Sequence, residues 1–163
     1  MIGFTTDYKT YDSSTGKTYI ELKSIETATP AKTMPVALGI GKATYRGGEI
    51  ILSTPGLLHA QWRVEVRLVG SEAVAGATST LKVEVQGADE ASGDTLTSPE
   101  TVFGTGAFTT AELNALKDGI VYDGLIPENF KRNYIQVVLT VGTAKFTAGK
   151  VEVRIYATNE HKG

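Results

Sequence analysis

LHAQWRVEVRL, residues 58–68, decides the fold. Leu58, Ala60, Trp62, Val64, Val66 and Leu68 alternate with His59, Gln61, Arg63, Glu65 and Arg67. A period of two sets the two groups on opposite faces of an extended strand, one toward a core and one toward water. Helical spacing would instead bring Arg63 and Arg67 onto one face and scatter the valines. Burying each Val or Leu of such a face stabilises by about 1.5–3 kcal/mol. A slip of one residue would turn the whole apolar set outward, so the register is well specified.

The same grammar returns along the chain. Leu81, Val83 and Val85 alternate with Lys82, Glu84 and Gln86; Ile135, Val137, Leu139 and Val141 form another apolar row, and Val151, Val153 and Ile155 a third. If the strand at 80–86 pairs with that at 58–68, its Lys82 and Glu84 face the Arg63–Glu65–Arg67 row. Further strands are expected at 17–23, 49–53, 101–104 and 119–126, the last with a bulge or bend at Asp123-Gly124. The four glycines of residues 36–48 read as turns, and Pro30 and Pro35 make the stretch before them irregular or a sheet edge. One helix is expected at FTTAELNALKDG, where Thr109 caps, Glu112 completes a capping box, Leu113 and Leu116 face inward and Gly119 terminates. Alternating strands joined by turns, with one short helix, predict an all-β, single-domain antiparallel sandwich or barrel. The expected organisation is an extended arm at 1–17, a β domain at 18–157 and a polar tail at 158–163.

Composition narrows the function. The 163 residues carry 16 basic and 18 acidic side chains and no cysteine. Disulfides and thiolate metal sites are excluded, and a net charge of −2 argues against nucleic acid as the main partner. No apolar run approaches the roughly 18 residues of a helical membrane span, and MIGFTTDYKTYDSS has no apolar stretch of the signal-peptide kind.

Candidates for chemistry are few. His59 and His161 have no histidine or carboxylate at ligand spacing, and a base needs an orienting partner. GIGKATYRGG (39–48) fails as a phosphate loop: Ala43 follows Gly41-Lys42, Val36 occupies the position of the first glycine, and no helix is expected after it. Asp89, Glu90 and Asp94 share a Gly-containing loop that offers oxygen ligands to a hard cation, but without EF-hand spacing; an acidic loop kept for solubility is the simpler reading. Glu65, Glu84 and Glu152 could share a sheet face, where pairing with Arg and Lys explains them better than glycoside cleavage. No catalytic residue, cofactor or metal is therefore expected. Tyr8, Tyr11 and Tyr19 cluster near the N-terminus; tyrosine suits interfaces because it buries area and keeps a polar tip, so these three are the candidate partner contacts.

Residues 58–157 also resemble a known family. QGADEASGDTLTSPETVF is followed by AELNALKDG and then by LIPENFKRNYIQVVLTVGTAKFTAGKVEVRIYA. This run resembles the jelly-roll capsid cement (decoration) proteins of tailed phages, through the Ser-Pro step, the Lys131-Arg132-Asn133-Tyr134 start of a strand, and a hairpin carrying Thr143, Phe146, Thr147, Ala148, Gly149, Lys150 and Val151. Residues 1–55 lack a counterpart in the family pattern. The resemblance implies a jelly-roll-like sandwich and a virion protein on the outer capsid surface, made in the host bacterial cytoplasm. It further implies a homo-oligomer, a trimer, that binds the phage major capsid protein, with neither nucleic acid nor membrane as partner. The competing expectation is a carbohydrate-binding β-sandwich module or a phage fibre or receptor-binding domain, which needs exposed aromatics; the inward phase of Trp62, the sole Trp, speaks against it.

Overall fold

The computed structural model describes residues 9–12, 17–38, 41–45, 48–52, 61–70, 72–127, 130 and 132–158. Within them the chain is an antiparallel β-sandwich with one short α-helix, as the alternation predicts. In chain order the strands are β1 (Lys9–Asp12), β2 (Lys17–Glu21), β3 (Ala31–Lys32), β4 (Val36–Ala37), β5 (Gly41–Tyr45), β6 (Gly48–Leu52), β7 (Gln61–Leu68) and β8 (Thr80–Ala88). They continue with β9 (Ala91–Ser92), β10 (Thr95–Leu96), β11 (Glu100–Gly104), β12 (Phe108–Thr109), helix α1 (Thr110–Asn114), β13 (Ile120–Leu125), β14 (Tyr134–Gly142) and β15 (Lys150–Thr158).

One sheet has the order β1-β2-β15-β7-β13, the other β11-β8-β14-β3, with β12 and β4 extending its edges beside β8 and β14. The pairing is nested: β2 pairs with β15, β3 and β4 with β14, β7 with β13, and β8 with β11. The body is thus one long antiparallel hairpin rolled up, the jelly-roll arrangement. The inward rows of both sheets meet in a single core, with Ile20, Val64, Val66, Val151 and Val153 from one sheet and Leu81, Val83, Ile135, Leu139 and Val141 from the other. A face alternating every second residue supplies such a row at no cost to the outward one.

Several expectations are corrected. β7 and β8, consecutive long strands, do not pair; they lie in different sheets, so Lys82 and Glu84 never face Arg63, Glu65 and Arg67. The turn-rich stretch 36–48 holds β4 and also β5, which forms a hairpin with β6. The irregularity of β13 falls between Ile120 and Tyr122, while Asp123 and Gly124 sit in register opposite Glu65 and Val64. Of the stretch read as an arm, Lys9–Asp12 pair with β2 as an edge strand. Helix α1 follows its signals: the Thr109 hydroxyl accepts from the Glu112 N–H, and the Glu112 carboxylate accepts from the Thr109 N–H.

Candidate interaction surface

The outer face of the five-stranded sheet is a plate of alternating charge. β15 contributes Lys150, Glu152, Arg154 and Tyr156, β7 contributes Arg63, Glu65 and Arg67, and β13 contributes Asp123. The register sets Lys150 opposite Glu21, Glu152 opposite Arg67 and Arg154 opposite Glu65. Every charged residue of the β15 row therefore meets the opposite sign on a neighbouring strand. Arg63 reaches across to Asp123 with two hydrogen bonds, Nε to Oδ1 at 2.7 Å and Nη2 to Oδ2 at 2.9 Å. Glu65 takes Arg154 at 3.6 Å, Arg63 at 3.9 Å and the Tyr156 hydroxyl at 3.2 Å. Two aromatic rings lie under cations, Tyr19 at 4.9 Å from the Lys150 ammonium and Tyr156 at 5.3 Å from the Arg154 guanidinium.

Titration follows from this pairing. The Arg63 hydrogen bond holds the Asp123 carboxyl below the usual carboxylate range, with the Arg63 and Arg67 charges adding to it against the cost of burial. Burial, then the Glu65 charge, raises the Tyr156 phenol. A shallow depression lined by Glu65, Val66, Arg67, Ile120 and Asp123 lies between β7 and β13; these carboxylates converge on guanidinium groups within the plate, not on a deep cleft.

The other sheet has a different outer face. Lys82 pairs with Glu84 at 3.2 Å on one strand, and Thr101 donates to Glu84 at 2.8 Å from β11, which is the main reason the Glu84 carboxyl is lowered. Further along, Gln136, Val138 and Thr33 are buried although Gln136 and Val138 stand in the outward row of β14. The Gln136 amide donates to the Thr33 carbonyl at 2.7 Å and to the Asp94 carbonyl at 3.0 Å, so the β9–β10 turn lies over this face. No signal in the alternation marks Gln136 as buried; a glutamine in an outward row reads as solvated.

Two acids of the 89–94 loop, Asp89 and Asp94, are held by neighbouring groups. Asp89 accepts from Arg132 at 2.8 Å, and Arg132 also holds Glu100 at 2.8 Å. Asp94 accepts from the Thr95 hydroxyl at 3.0 Å. Among the described residues no group of three or more His, Asp or Glu is placed to hold a metal ion. Glu65 and Glu152 share a face, but Glu84 is in the opposite sheet, which corrects the expectation that the three stand together. Tyr8, His59 and His161 lie outside the described residues. The register of β1 with β2 sets Tyr11 opposite Thr18 and Tyr19 opposite Thr10. Trp62 is half-buried against the core and donates its indole N–H to the Leu38 carbonyl at 3.0 Å.

The hairpin at 143–151 is an anchor for the core. Phe146 is 2 % exposed, Thr147 donates to the Ala75 carbonyl at 2.8 Å, and Ala75 donates to that of Ala148 at 3.1 Å. Gly149 has φ of +123°, where a Cβ would stand 3.0 Å from Leu22 Cδ1 and 3.1 Å from Val74 Cγ2. Only glycine meets both demands.

A protein-family profile described as Bbp16 matches residues 56–155, which hold β7 through the first two thirds of β15. The chain belongs to the Bbp16 family. The Bbp16 region takes in the charged plate apart from its β2 members and Tyr156, all of the Gln136 network's donors and Asp94, and the 143–151 hairpin; β1 to β6 precede it. No curated protein and no solved structure matches the chain.

Proposed function

We propose that this chain is a non-enzymatic structural protein, a phage capsid cement (decoration) protein that binds the outer face of the major capsid protein shell and bridges neighbouring subunits. The observation that carries the reading is the charged plate. Its carboxylates and cations are engaged across strands in a stiff sheet, an arrangement suited to a body that bears load. A cement protein also needs extended segments beside such a body, and β1 is an edge strand while the β5–β6 hairpin pairs with neither large sheet. The stretch that resembles the cement family, 58–157, nearly coincides with the Bbp16 match at 56–155. Several weak strand contacts acting together give strong attachment through effective concentration. The carbohydrate-binding alternative is less well supported, because Trp62 is turned inward and Tyr19 and Tyr156 lie under Lys150 and Arg154.

The test is addition of purified protein to shells of its own phage that lack it. The expected result is co-sedimentation, external density in cryo-electron microscopy, and a higher temperature of shell disruption. Failure to bind shells, combined with binding to a glycan array, would overturn the proposal in favour of the carbohydrate module.

A further inference from the structure

The loop that joins β8 to β11 does not project from the sandwich; it folds back over the outer face of its own sheet. Residues 89–99 hold the small β9–β10 hairpin, and β10 lies against β14. Among residues 89–99, all of them described, Leu96 alone is buried, Ala91 is half-buried and the others are exposed. Leu96 and Val138 are both shielded from water, yet both stand outside the core cluster that joins the two sheets. Val138 is in the outward row of β14, so what shields it lies on the outside of the sheet, where β10 is. A segment seated by one apolar side chain belongs to the low-stability end of a fold.

Polar contacts hold the rest of the segment. At its root Arg132 donates Nη1 to Asp89 and Nε to Glu100, one on each leg of the hairpin and both at 2.8 Å, and the Asn133 amide donates to the Asp89 carbonyl at 3.1 Å. At its tip Gln136 donates to the Asp94 carbonyl at 3.0 Å. The Arg132 side chain is 38 % exposed and both carboxylates 55 %, so this grip is open to water and salt. Lifting the segment leaves Gln136 its bond to the Thr33 carbonyl at 2.7 Å, while the Asp94 carbonyl, on an exposed residue, passes to water. One hinge is already strained: Ser98 has φ of +47° directly before Pro99, where extended backbone is favoured. Opening releases that strain.

We propose that residues 89–99 form a latched strap that lifts from β14 while both sheets stay folded, with Arg132 as its latch, and so uncovers Gln136 and Val138. The closed form predominates. The inference rests on the contacts of the strap and is independent of the cement reading.

The chain has no cysteine, so an introduced one is a unique probe. Val137 and Val138 are buried neighbours in β14, one in the core cluster and one outside it. Val137→Cys and Val138→Cys, each checked by circular dichroism, are treated separately with a thiol reagent under native conditions. The Val138→Cys thiol is expected to react about tenfold faster or more than the Val137→Cys thiol, yet far more slowly than a free thiol. Its rate is also expected to rise less steeply with urea, because lifting a strap exposes little surface. Arg132→Gln is expected to speed the Val138→Cys reaction about fivefold, and high salt to do the same only while Arg132 is present. Val66→Ala, in the core of the opposite sheet, is expected to speed the Val137→Cys reaction about tenfold or more and leave that of Val138→Cys unchanged, because closed and open forms share the folded body. In the unsubstituted chain, hydrogen exchange over 89–99 is expected to rise gently with urea and that over 80–87 steeply, since a small hairpin does not hold by itself. Equal rates and slopes for the two thiols, a Val138→Cys thiol as reactive as a free one, no response to Arg132→Gln, or a Val66→Ala effect shared by both positions would each overturn the strap.

Discussion

On the outer face of the β13–β7–β15–β2 sheet, charged side chains meet opposite charges across the strands and most stay near the surface, Glu152 alone among the described plate charges being buried; on that of the β11–β8–β14–β3 sheet, the uncharged Gln136 and Thr33 have gone beneath the β9–β10 turn. The two faces place their specificity in different interactions. Ion pairs near water contribute little each, because solvation competes with them and salt screens them. A buried amide that satisfies two carbonyls contributes little net when made but is costly when removed, since the carbonyls are left dry and unpaired. The plate is therefore tolerant of substitution and the covered face is not. That suits a molecule whose charged face is a stiff wall and whose covered face fixes the loop at 88–100.

The largest effect is expected where the covered face loses its donor. Gln136→Leu keeps the volume roughly but strands the Thr33 and Asp94 carbonyls, and is expected to lower unfolding stability by about 3 kcal/mol. Urea titration with an unchanged slope would locate the effect in the native state. A loss no greater than that of a plate substitution would show that water replaces the amide and would erase the contrast between the faces. Thr33→Val is next, at about 1–2 kcal/mol, because the Val137 N–H loses its acceptor at 3.0 Å.

The plate is expected to respond more weakly. Arg63 and Asp123 have side chains 25 % and 26 % exposed, so their pair is neither dry nor free. A double-mutant cycle with Arg63→Met and Asp123→Asn is expected to give a coupling of about 1 kcal/mol, falling at high salt. A coupling as large as the Gln136 effect would mean that the plate is as strictly specified as the covered face.

How far the sequence reveals these faces differs in the same way. The inward rows of β7, β8, β14 and β15 are legible, because alternation is local. So is the capping box of Thr109 and Glu112. The partners of the strands are not legible: nested pairing joins β2 to β15 and β3 to β14 across most of the chain, and nothing near β7 says that β8 belongs to the other sheet. Glycines at 41 and 48 suggest turns although both lie in the β5–β6 hairpin. The loop acids were legible as acids, but Arg132, which holds Asp89 and Glu100, comes from 43 and 32 residues away. Burial of Gln136 depends on a turn folding over an outward position, and no periodicity records that.

The smallest predicted effect concerns pH and separates the faces by a single titration each. Asp123 is lowered first by the Arg63 hydrogen bond, and Glu84 first by the Thr101 hydroxyl. A folded-state pKa below the unfolded value binds fewer protons in the native state, so the stabilisation is complete above the ordinary values of 3.8 and 4.5 and is lost as pH falls through the folded ones. Stability is therefore expected to decline in acid. Asp123→Asn is expected to remove part of that slope, and Thr101→Val another part by freeing Glu84. The Asp123 part is also expected to shrink in high salt, because its partner is an ion, whereas the Thr101 contribution is a neutral hydrogen bond and resists screening. Equal salt sensitivity of the two slopes would mean that Glu84 is held mainly by the Lys82 charge at 3.2 Å, and that both faces titrate through ion pairs.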